Sequence, residues 1–409
     1  MRKAQPALLA AYWFGLQLVW GAVLAVSLQA RSIAVGGHDG VAAYSTVAAL
    51  GAAAAAVVQF LIGRSSDARL RAVGHRRDYF LAGTALSLPA LAWFYLAPSY
   101  VQLVGAFFLL QIGMNVASGP YQAVIPDHVD DDRRGGATAW MAAFQFLGNA
   151  VGLLIAGFVK GGAAIAAILI AALGGTFAIT FAHVRHLRTT AQAQRFALNG
   201  PLVTLLWSRG LINTGFYTLT GFLLFFVRDS LHVADSALEM TTALLFITFT
   251  CAGVAGATLA ARPTDRLDRR RVVTAANVVI AFALCALAAA RSTPMAYAAA
   301  AVSGLAWGAF TVADWALACA VLPAGSMATA MGVWNVANAV PQVVAPLVTG
   351  RLVIALNAHA AGSGPRAAIL LVVAEFTAGT IWLWRLPAAL ATATSQRSTE
   401  PRGQEQYDA

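Results

Sequence analysis

Long, almost uninterrupted apolar segments constrain the fold of this chain more than any other feature of its sequence. A helix that crosses a bilayer needs about 20 mostly apolar residues, and twelve segments meet that requirement. They cover residues 7–30, 41–63, 79–97, 100–125, 137–159, 162–184, 202–227, 238–260, 272–290, 295–321, 327–350 and 367–386. The short alternating segments typical of membrane barrels do not occur. The pattern predicts an all-α integral membrane protein with twelve transmembrane helices.

The composition excludes most other classes of protein. Of the 409 residues, 59% are hydrophobic and only 11% are charged, whereas a soluble domain has about 25% charged residues. A net charge of +10 would suit nucleic-acid binding only on a soluble fold with a basic face, so we expect no nucleic-acid partner. The three cysteines have no paired spacing, and the sequence lacks a phosphate-binding loop and a metal-ligand cluster. We therefore expect no cofactor, no metal site and no enzymatic activity.

The distribution of basic residues predicts the orientation in the membrane. With the N-terminus inside, 21 of the 27 Lys and Arg residues, Arg209 among them, fall on the cytoplasmic side, as the positive-inside rule requires. The other six lie at outer helix ends, where their side chains can reach water; they are Arg31, Lys160, Arg228, Arg291, Arg351 and Arg366. We expect a multi-pass protein of a bacterial inner membrane with both termini in the cytoplasm.

The two halves of the chain repeat one another. The segment GRSSD (63–67) after the second span corresponds to ARPTDR (261–266) after the eighth. Two six-span halves form a common plan of secondary transporters, with the substrate site between them at mid-membrane. The sequence predicts two pseudo-symmetric six-helix halves, residues 1–185 and 201–390, joined by a cytoplasmic linker (186–200) and followed by a disordered cytoplasmic tail (391–409).

Several motifs resemble those of one transporter family. Twelve spans in two halves, with GRSSDAR (63–69) and then GHRR (74–77) after the second span, resemble the major facilitator superfamily over nearly the whole chain. The length of this loop and the stretches PYQAVIPD (120–127) and MGVWNVANAVPQ (331–342) are most similar to the glycoside–pentoside–hexuronide:cation symporters and the sucrose–proton cotransporters. The resemblance implies transport by alternating access.

Two departures from related subgroups bear on the solute and the coupling ion. Proton-coupled drug exporters of the superfamily carry an Arg in the fourth span and a Gly-Pro signature in the fifth. Here the fourth span has no Arg, and the fifth reads GNAVGL (148–153) without proline. The melibiose-type sodium carriers place acidic residues in the second and fourth spans, where this chain has none. Both departures favour a proton-coupled symporter.

The resemblance also assigns a gating role to the cytoplasmic loops. They would latch the halves together when the carrier faces outward, through acid–arginine pairs weak enough to form and break in each cycle. The assigned gate residues are Gly63, Asp67, Arg69, Arg76, Arg77, Asp127, Asp265, Arg266, Arg269 and Arg270. The alternative is ordinary positive-inside topology with incidental acids.

Only two of the seventeen acidic residues lie well inside apolar segments, namely Asp314 in the tenth span and Glu375 in the twelfth. An ionisable group at that depth is costly and indicates a function, so both are candidates for proton coupling. The alternative for Asp314 is a structural role beside the gate. The sequence places no basic residue at mid-membrane, which favours a neutral or cationic solute.

Polar and aromatic side chains on particular spans predict a substrate site. In the resembled fold, spans one, four, seven and ten line the central cavity. The candidates are Gln17, Trp20, Gln111, Asn115, Gln145, Asn149, Asn213, Tyr217, Trp307, Thr311, Trp334, Asn338 and Gln342. Amides match sugar hydroxyls and aromatic rings cover apolar sugar faces, whereas interhelical hydrogen bonding is the alternative role for each amide. Trp307, Thr311 and Asp314 are expected to share one helix face.

The sequence therefore predicts a monomeric secondary transporter that couples the symport of a small neutral polar solute, such as a sugar or glycoside, to protons. A proton-coupled exporter of amphipathic compounds is the first alternative. The second is a non-transporting membrane sensor or scaffold with the same fold.

Overall fold

The computed structural model describes residues 5–36, 40–129, 131–187, 198–321 and 327–391, and within these ranges it contains helices and no β-strand. Twelve helices are long and apolar enough to cross a membrane, which confirms the predicted fold class. They are α1 (Pro6–Gly36), α2 (Gly40–Val73), α3 (Arg77–Leu96), α4 (Tyr100–Tyr121), α5 (Asp131–Phe158), α6 (Gly162–Val184), α7 (Gly200–Asp229), α8 (Asp235–Arg266), α9 (Arg269–Ala289), α10 (Thr293–Val321), α11 (Met327–Asn357) and α12 (Ser363–Leu383). Most of the predicted linker (188–197) and nearly all of the predicted tail (392–409) lie outside the described residues.

Local sequence sets where several helices begin and end. The Asn199 side chain accepts a hydrogen bond from the Leu202 N–H and caps α7, as polar N-cap residues do. The turns between α2 and α3, α5 and α6, and α11 and α12 each contain a glycine with a positive φ, at Gly74, Gly161 and Gly362. Glycine adopts this conformation without a steric cost, so these connections remain short.

Two helices continue beyond the apolar segments into the predicted gate loops. α2 extends to Val73 and α8 to Arg266, although the predicted spans end at residues 63 and 260. Turns rich in Ala and Arg retain helix propensity, and their polar side chains stay in water beyond the apolar layer. The loop boundaries predicted here are therefore wrong, because helical residues include Gly63, Asp67, Arg69, Asp265 and Arg266.

The helices pack as two groups of six. In the first group, α1 packs against α5 and α6, and α3 packs against α4 and α6. In the second, α10 packs against α8 and α9, and α12 packs against α7 and α9. The groups meet mainly where α2 contacts α11 and where α5 contacts α8. Helices from both halves therefore face one another between these two contacts.

Glycines allow close approach of helix backbones within each half. A Cβ atom added at Gly148 or Gly152 of α5 would overlap the backbone of Phe14 or Leu18 in α1. Small residues at helix crossings allow the van der Waals contact that drives helix association in membranes. These glycines therefore fix the position of α1, which carries several side chains of the candidate site.

Both ends of the described chain emerge at one end of the bundle, which we call the terminus face; the other end is the opposite face. At the terminus face, the Gln5 N–H donates to His183 Nε2 (3.0 Å), joining the start of α1 to the end of α6. Arg270 Nη1 donates to the Leu386 carbonyl (2.8 Å), joining the start of α9 to the segment after α12. Each bond therefore joins two elements of the same half.

Contacts between the two halves lie toward the opposite face. Tyr44 of α2 packs edge-on against Phe222 of α7, with ring centroids 5.4 Å apart. Gln29 Nε2 of α1 donates to the Thr220 carbonyl of α7 (3.2 Å). The hydrogen bonds and ring contacts that join a described residue of one half to a described residue of the other, including those of Lys160 and Phe225, lie on this side. The halves are therefore joined at the opposite face.

Candidate substrate cavity and intramembrane acids

A cavity of about 400 Å³ lies between the two halves, within the usual size range of small-molecule sites. It is lined by α1, α2, α4 and α5 of one half and by α7, α8 and α11 of the other. Tyr44 borders it near the opposite face, and Gln122, the residue after α4, borders it at the terminus face. The cavity thus extends from the contacts between the halves toward the terminus face.

Eight of the thirteen predicted substrate residues line this cavity: Gln17, Trp20, Gln111, Asn115, Asn149, Tyr217, Asn338 and Gln342. The structure adds polar side chains that the sequence did not single out, namely Gln59, Ser118, Gln122, Thr220 and Thr250. None of the described lining residues is acidic or basic. The cavity therefore offers amides, hydroxyls and aromatic rings, and its described wall carries no charge.

An ordered chain of amides forms the wall on the side of the first half. Asn115 Nδ2 donates to the Gln111 backbone carbonyl (2.8 Å) and to Gln111 Oε1 (3.2 Å). Gln59 Nε2 donates to Asn115 Oδ1 (2.7 Å). Because a backbone carbonyl can only accept, it fixes which end of the Asn115 amide is the donor and so the direction of the whole chain.

Amides of the second half bond mainly to one another. Asn213 is buried and donates through Nδ2 to the Ala337 carbonyl (2.8 Å) and to Asn338 Oδ1 (2.7 Å). Gln342 Nε2 donates to the Tyr217 hydroxyl oxygen (3.0 Å). These bonds join α7 to α11. Asn213 accordingly has the interhelical role that the sequence left as the alternative, whereas its partner Asn338 borders the cavity.

The tenth span does not contribute to the cavity wall, contrary to expectation. Trp307 of α10 stacks on Phe216 with centroids 4.8 Å apart and planes at 10°, so a ring of α7 separates it from the cavity. Thr311 is exposed and its hydroxyl donates to the Gly308 carbonyl of its own helix. Asp314 is buried elsewhere, so the predicted face shared by Trp307, Thr311 and Asp314 does not form one site.

Two further candidates also lie away from the cavity. Gln145 is half-buried on α5, one turn before Asn149, and does not line the cavity. Trp334 of α11 is buried beneath the Arg209 guanidinium, whose carbon lies 4.4 Å from the ring centroid. Helical spacing correctly put these residues near lining residues, but Gln145 is absent from the cavity wall and Arg209 covers the Trp334 ring.

Asp314 forms an ion pair with Arg209 inside the second half. Arg209 Nη1 of α7 donates to Asp314 Oδ2 of α10, and the side chains are 19% and 6% exposed. Both are shielded by protein, with the Trp334 ring against the guanidinium. The sequence counts Arg209 among the cytoplasmic basic residues, but its side chain is shielded within α7 and paired with Asp314. Asp314 compensates the charge of Arg209, and neither residue lines the cavity.

Glu375 of α12 has a different environment. It is half-buried, its carboxylate lies near the Thr218 hydroxyl of α7, and its Oε2 atom is buried without a partner among the described residues. The Thr218 hydroxyl lies 3.1 Å from the hydroxyl of Thr349 in α11. No Lys or Arg forms an ion pair with Glu375 in the described part of the chain. Hydroxyl groups are therefore its polar neighbours.

In the first half, the arginines of the predicted gate bond to groups within that half. Arg76 Nε donates to Asp127 Oδ2 (2.9 Å) and Arg76 Nη1 to Ser66 Oγ (3.0 Å). Arg69 Nη2 donates to Asp78 Oδ2 (2.7 Å), an acid that the sequence prediction did not include. Arg77 also bonds, to the backbone carbonyl at the end of α6. The side chain of Asp67 lies outside the described part of the structure.

In the second half, Asp268 pairs with the predicted gate residue Arg270. Arg270 Nη2 donates to Asp268 Oδ2 (2.7 Å), and both side chains are largely buried. The hydrogen bond from Arg270 lowers the pKa of Asp268, the residue that also caps α9. Arg269 Nη1 donates to the Ala316 carbonyl (3.3 Å), whereas Arg266 is exposed. The side chain of Asp265 lies outside the described residues.

The missed polar lining residues had a signal in the sequence. Gln59 is the only polar side chain between Thr46 and Arg64 in an otherwise apolar segment. On α4, polar lining residues follow helical spacing, at positions 111, 115, 118 and 122. A search for isolated amides and for helical polar stripes would have found both features.

Two groups of six membrane helices with a polar cavity between them define the class of secondary transporters. The profile of the Major Facilitator Superfamily matches residues 8–346 and, in a second match, 206–404. The chain belongs to the Major Facilitator Superfamily and is a transporter rather than an enzyme. No curated protein matches the sequence.

Solved structures show the same fold. One is a bacterial homologue of the human lysosomal transporter Spinster in an inward-facing and occupied conformation. It has 14% sequence identity and a TM-score of 0.73, with 96% of this chain and 99% of that chain covered. The inward-facing and unoccupied conformation of such a homologue has 14% identity and a TM-score of 0.67, with 95% and 96% covered. At this identity, the likeness shows the fold alone.

Proposed function

We propose that this protein is a proton-coupled symporter of a small neutral polar solute, such as a sugar or glycoside. The observation that carries the proposal is the uncharged, amide-rich wall described for the cavity between the halves. A charged solute there would lose its hydration without gaining an opposite charge, which is costly. A solute with several hydroxyl groups instead exchanges water for amide hydrogen bonds and aromatic contacts.

The basic residues support an orientation with both termini in the cytoplasm of a bacterial cell, because most of them belong to segments at the terminus face. In that orientation the Tyr44–Phe222 contact closes the cavity toward the outside. The side bordered by Gln122 then points to the cytoplasm. These features support an inward-facing state of an alternating-access cycle, in a protein that we expect to work as a monomer.

Of the two intramembrane acids, we assign the proton to Glu375. Asp314 already has Arg209 as a counter-ion, and releasing or neutralising one partner of a buried pair leaves the other charge uncompensated. Glu375 has hydroxyl neighbours and a buried oxygen without a described partner. An ionised carboxylate without a counter-ion is costly inside a membrane. The arrangement therefore favours Glu375 as the group that gains and loses a proton, and Asp314 as a structural acid.

Transport assays in proteoliposomes test the proposal. We expect addition of the correct sugar or glycoside to alkalinise the external medium as the solute enters with protons. Glu375→Gln, which keeps a hydrogen-bonding group beside Thr218, should abolish this signal and uphill accumulation while preserving solute counterflow, because exchange needs no net proton movement. Glu375→Asp is the matched conservative variant and should retain part of the coupling.

Other outcomes would contradict the proposal. Uphill uptake that is unchanged in Glu375→Gln would remove Glu375 from coupling. Export of amphipathic compounds, measured as increased drug tolerance of a sensitive host without sugar uptake, would favour the exporter alternative. Absence of transport for every solute in both assays would favour a sensor or scaffold.

A further inference from the structure

The hydrogen-bonding capacity of the cavity wall is distributed unequally between the two halves. The first half contributes six amide side chains to the wall: Gln17, Gln59, Gln111, Gln122, Asn149 and Asn115. Among the described residues, the second half contributes only Asn338 and Gln342. What matters for a solute is how many of these groups are not already used in bonds within the protein, since a satisfied amide gains little from a ligand.

Most amide capacity in the first half remains open to the cavity. Gln17, Gln122 and Asn149 line the cavity, and no described hydrogen bond uses their side chains. In the chain from Gln59 through Asn115 to Gln111, the Gln59 carbonyl oxygen and the Gln111 amide nitrogen are left over. The chain therefore presents an acceptor at one end and a donor at the other, which is the pattern that adjacent hydroxyl groups match.

The polar groups of the second half are largely committed to the protein. Asn338 accepts from Asn213, and Gln342 donates to Tyr217. The Thr220 and Thr250 hydroxyls donate to backbone carbonyls of their own helices (3.3 and 2.8 Å). The bonds of Asn338 and Gln342 join α11 to α7, and the Gln342 carbonyl oxygen and the Tyr217 O–H are the groups they leave for solute hydroxyls.

The second half instead presents a surface of aromatic rings. Phe216, Phe246 and Phe249 line the cavity. The Phe216 ring is stacked on Trp307, which also lies 6.3 Å from Phe249 between centroids. Aromatic residues also line the first half, so rings alone do not distinguish the halves. The second half differs because its rings stand beside only two described amides, each already bonded within the protein, which makes this side less polar than the first.

We infer that the solute is neutral and amphipathic, with a hydroxyl-rich end that binds the open amides of the first half and an apolar end that packs on the rings of the second. The chemical class that fits is a glycoside with an aromatic aglycone, and Gln59 is a substrate-binding residue. This inference rests on the proposed function, because it specifies the solute for the same cavity. The pairing of each ligand end with one half is the new element.

Titration calorimetry measures solute binding to the full chain in lipid nanodiscs and tests the inference without requiring transport. Nanodiscs avoid glycoside detergents, which would compete for the site. The probes are glucose, galactose, mannose and xylose, each compared with its 4-nitrophenyl glycosides. We expect the glycoside of at least one sugar to bind about tenfold more tightly than the free sugar, because the aromatic contact adds to the burial of apolar surface.

Two variants with matched controls assign the two ends of the solute. Gln59→Ala should reduce the affinities for the glycoside and for its free sugar by the same factor of about five, which corresponds to the loss of one neutral hydrogen bond. Phe249→Ala should reduce the affinity for the glycoside alone, and so reduce the ratio of glycoside affinity to free-sugar affinity. Gln102→Ala near the start of α4 and Phe282→Ala on the exposed face of α9 should change neither affinity, because both residues lie away from the cavity.

The outcomes separate this inference from the proposed function. Equal affinities for free sugars and their glycosides, together with proton-coupled sugar uptake, would overturn the inference and leave the proposed function in place. A tenfold preference that Phe249→Ala removes, without proton coupling, would support the inference and contradict the symport mechanism. Loss of aglycone preference in Gln59→Ala, with sugar affinity unchanged, would overturn the assignment of the two ends. Absence of binding by every probe would overturn the inference as a whole.

Discussion

Removing one charge of the Arg209–Asp314 pair is expected to destabilise the protein severely. The two side chains are 19% and 6% exposed, so water cannot compensate for a missing partner. Loss of one member of a buried pair costs about 3–5 kcal/mol, because the remaining charge is buried without a counter-ion. In a domain of 150–250 residues, 1 kcal/mol shifts the unfolding temperature by about 2–4 °C. For a half of this size, Asp314→Asn should therefore lower the unfolding temperature by about 10 °C.

The assay is thermal unfolding of the purified protein in one detergent, followed by tryptophan fluorescence. The double variant Arg209→Gln with Asp314→Asn removes both charges together and should regain most of the lost stability, since an uncharged pair needs no counter-ion. Asp78→Asn is the matched control. Its partner Arg69 and Asp78 itself are about half exposed, and exposed pairs contribute only about 0–1 kcal/mol.

Two results would refute this reasoning. If Asp314→Asn shifts the unfolding temperature no more than Asp78→Asn does, the pair is not a structural element of the second half. If Asp314→Asn is as stable as the parent protein and loses uphill transport while counterflow persists, Asp314 carries the proton and the assignment of Glu375 fails.

Three further outcomes follow from packing and charge. Gly308→Ala, which would overlap the backbone of α8, should lower the unfolding temperature, whereas the control Gly174→Ala, with open space around it, should not. The hydrogen bond from Arg270 lowers the pKa of Asp268. The pair therefore stabilises the fold at pH values above the usual pKa of a carboxyl group, and this stabilisation is lost as the pH falls through the lowered pKa. Asp268→Asn should therefore be less stable at pH 7 and approach the parent protein under acid conditions, as pH-dependent unfolding would measure. Tyr44→Ala should increase labelling of a cysteine placed at Ala48, a lining position, by an impermeant thiol reagent added outside; unchanged labelling would contradict a seal at the opposite face.

Prediction from the sequence worked where one local property decides the outcome. Apolar length alone specifies each membrane helix, because every backbone polar group in lipid must be bonded internally. Asp314 and Glu375 could likewise be recognised from the sequence, because they are the acidic residues within apolar segments. Helix ends were predicted less well: α2 continues to Val73 because polar residues outside the apolar layer are compatible with a helix. The sequence gives no signal that separates a solvated helical turn from a loop at such a position.

Membership of the cavity could not be predicted with the same success, for a physical reason. In a soluble helix the apolar face marks the core, but in a membrane helix the lipid-facing and protein-facing sides are both apolar. Periodicity therefore did not show that Trp307 lies behind Phe216 or that Gln59 meets Asn115. The pairing of Arg209 with Asp314 was missed because the two residues lie on different helices, 105 residues apart in sequence.

The sequence by itself determined that this chain spans a membrane twelve times, that it consists of two similar halves, and that few charges lie within its helices. These properties depend on local composition and spacing, which the transfer of side chains between water and lipid converts directly into structure. Only the tertiary structure decided which amides face the cavity, which acid has a counter-ion, and which end of the bundle joins the halves. Those properties depend on pairs of residues on different helices, and the packing of helices decides which pairs meet.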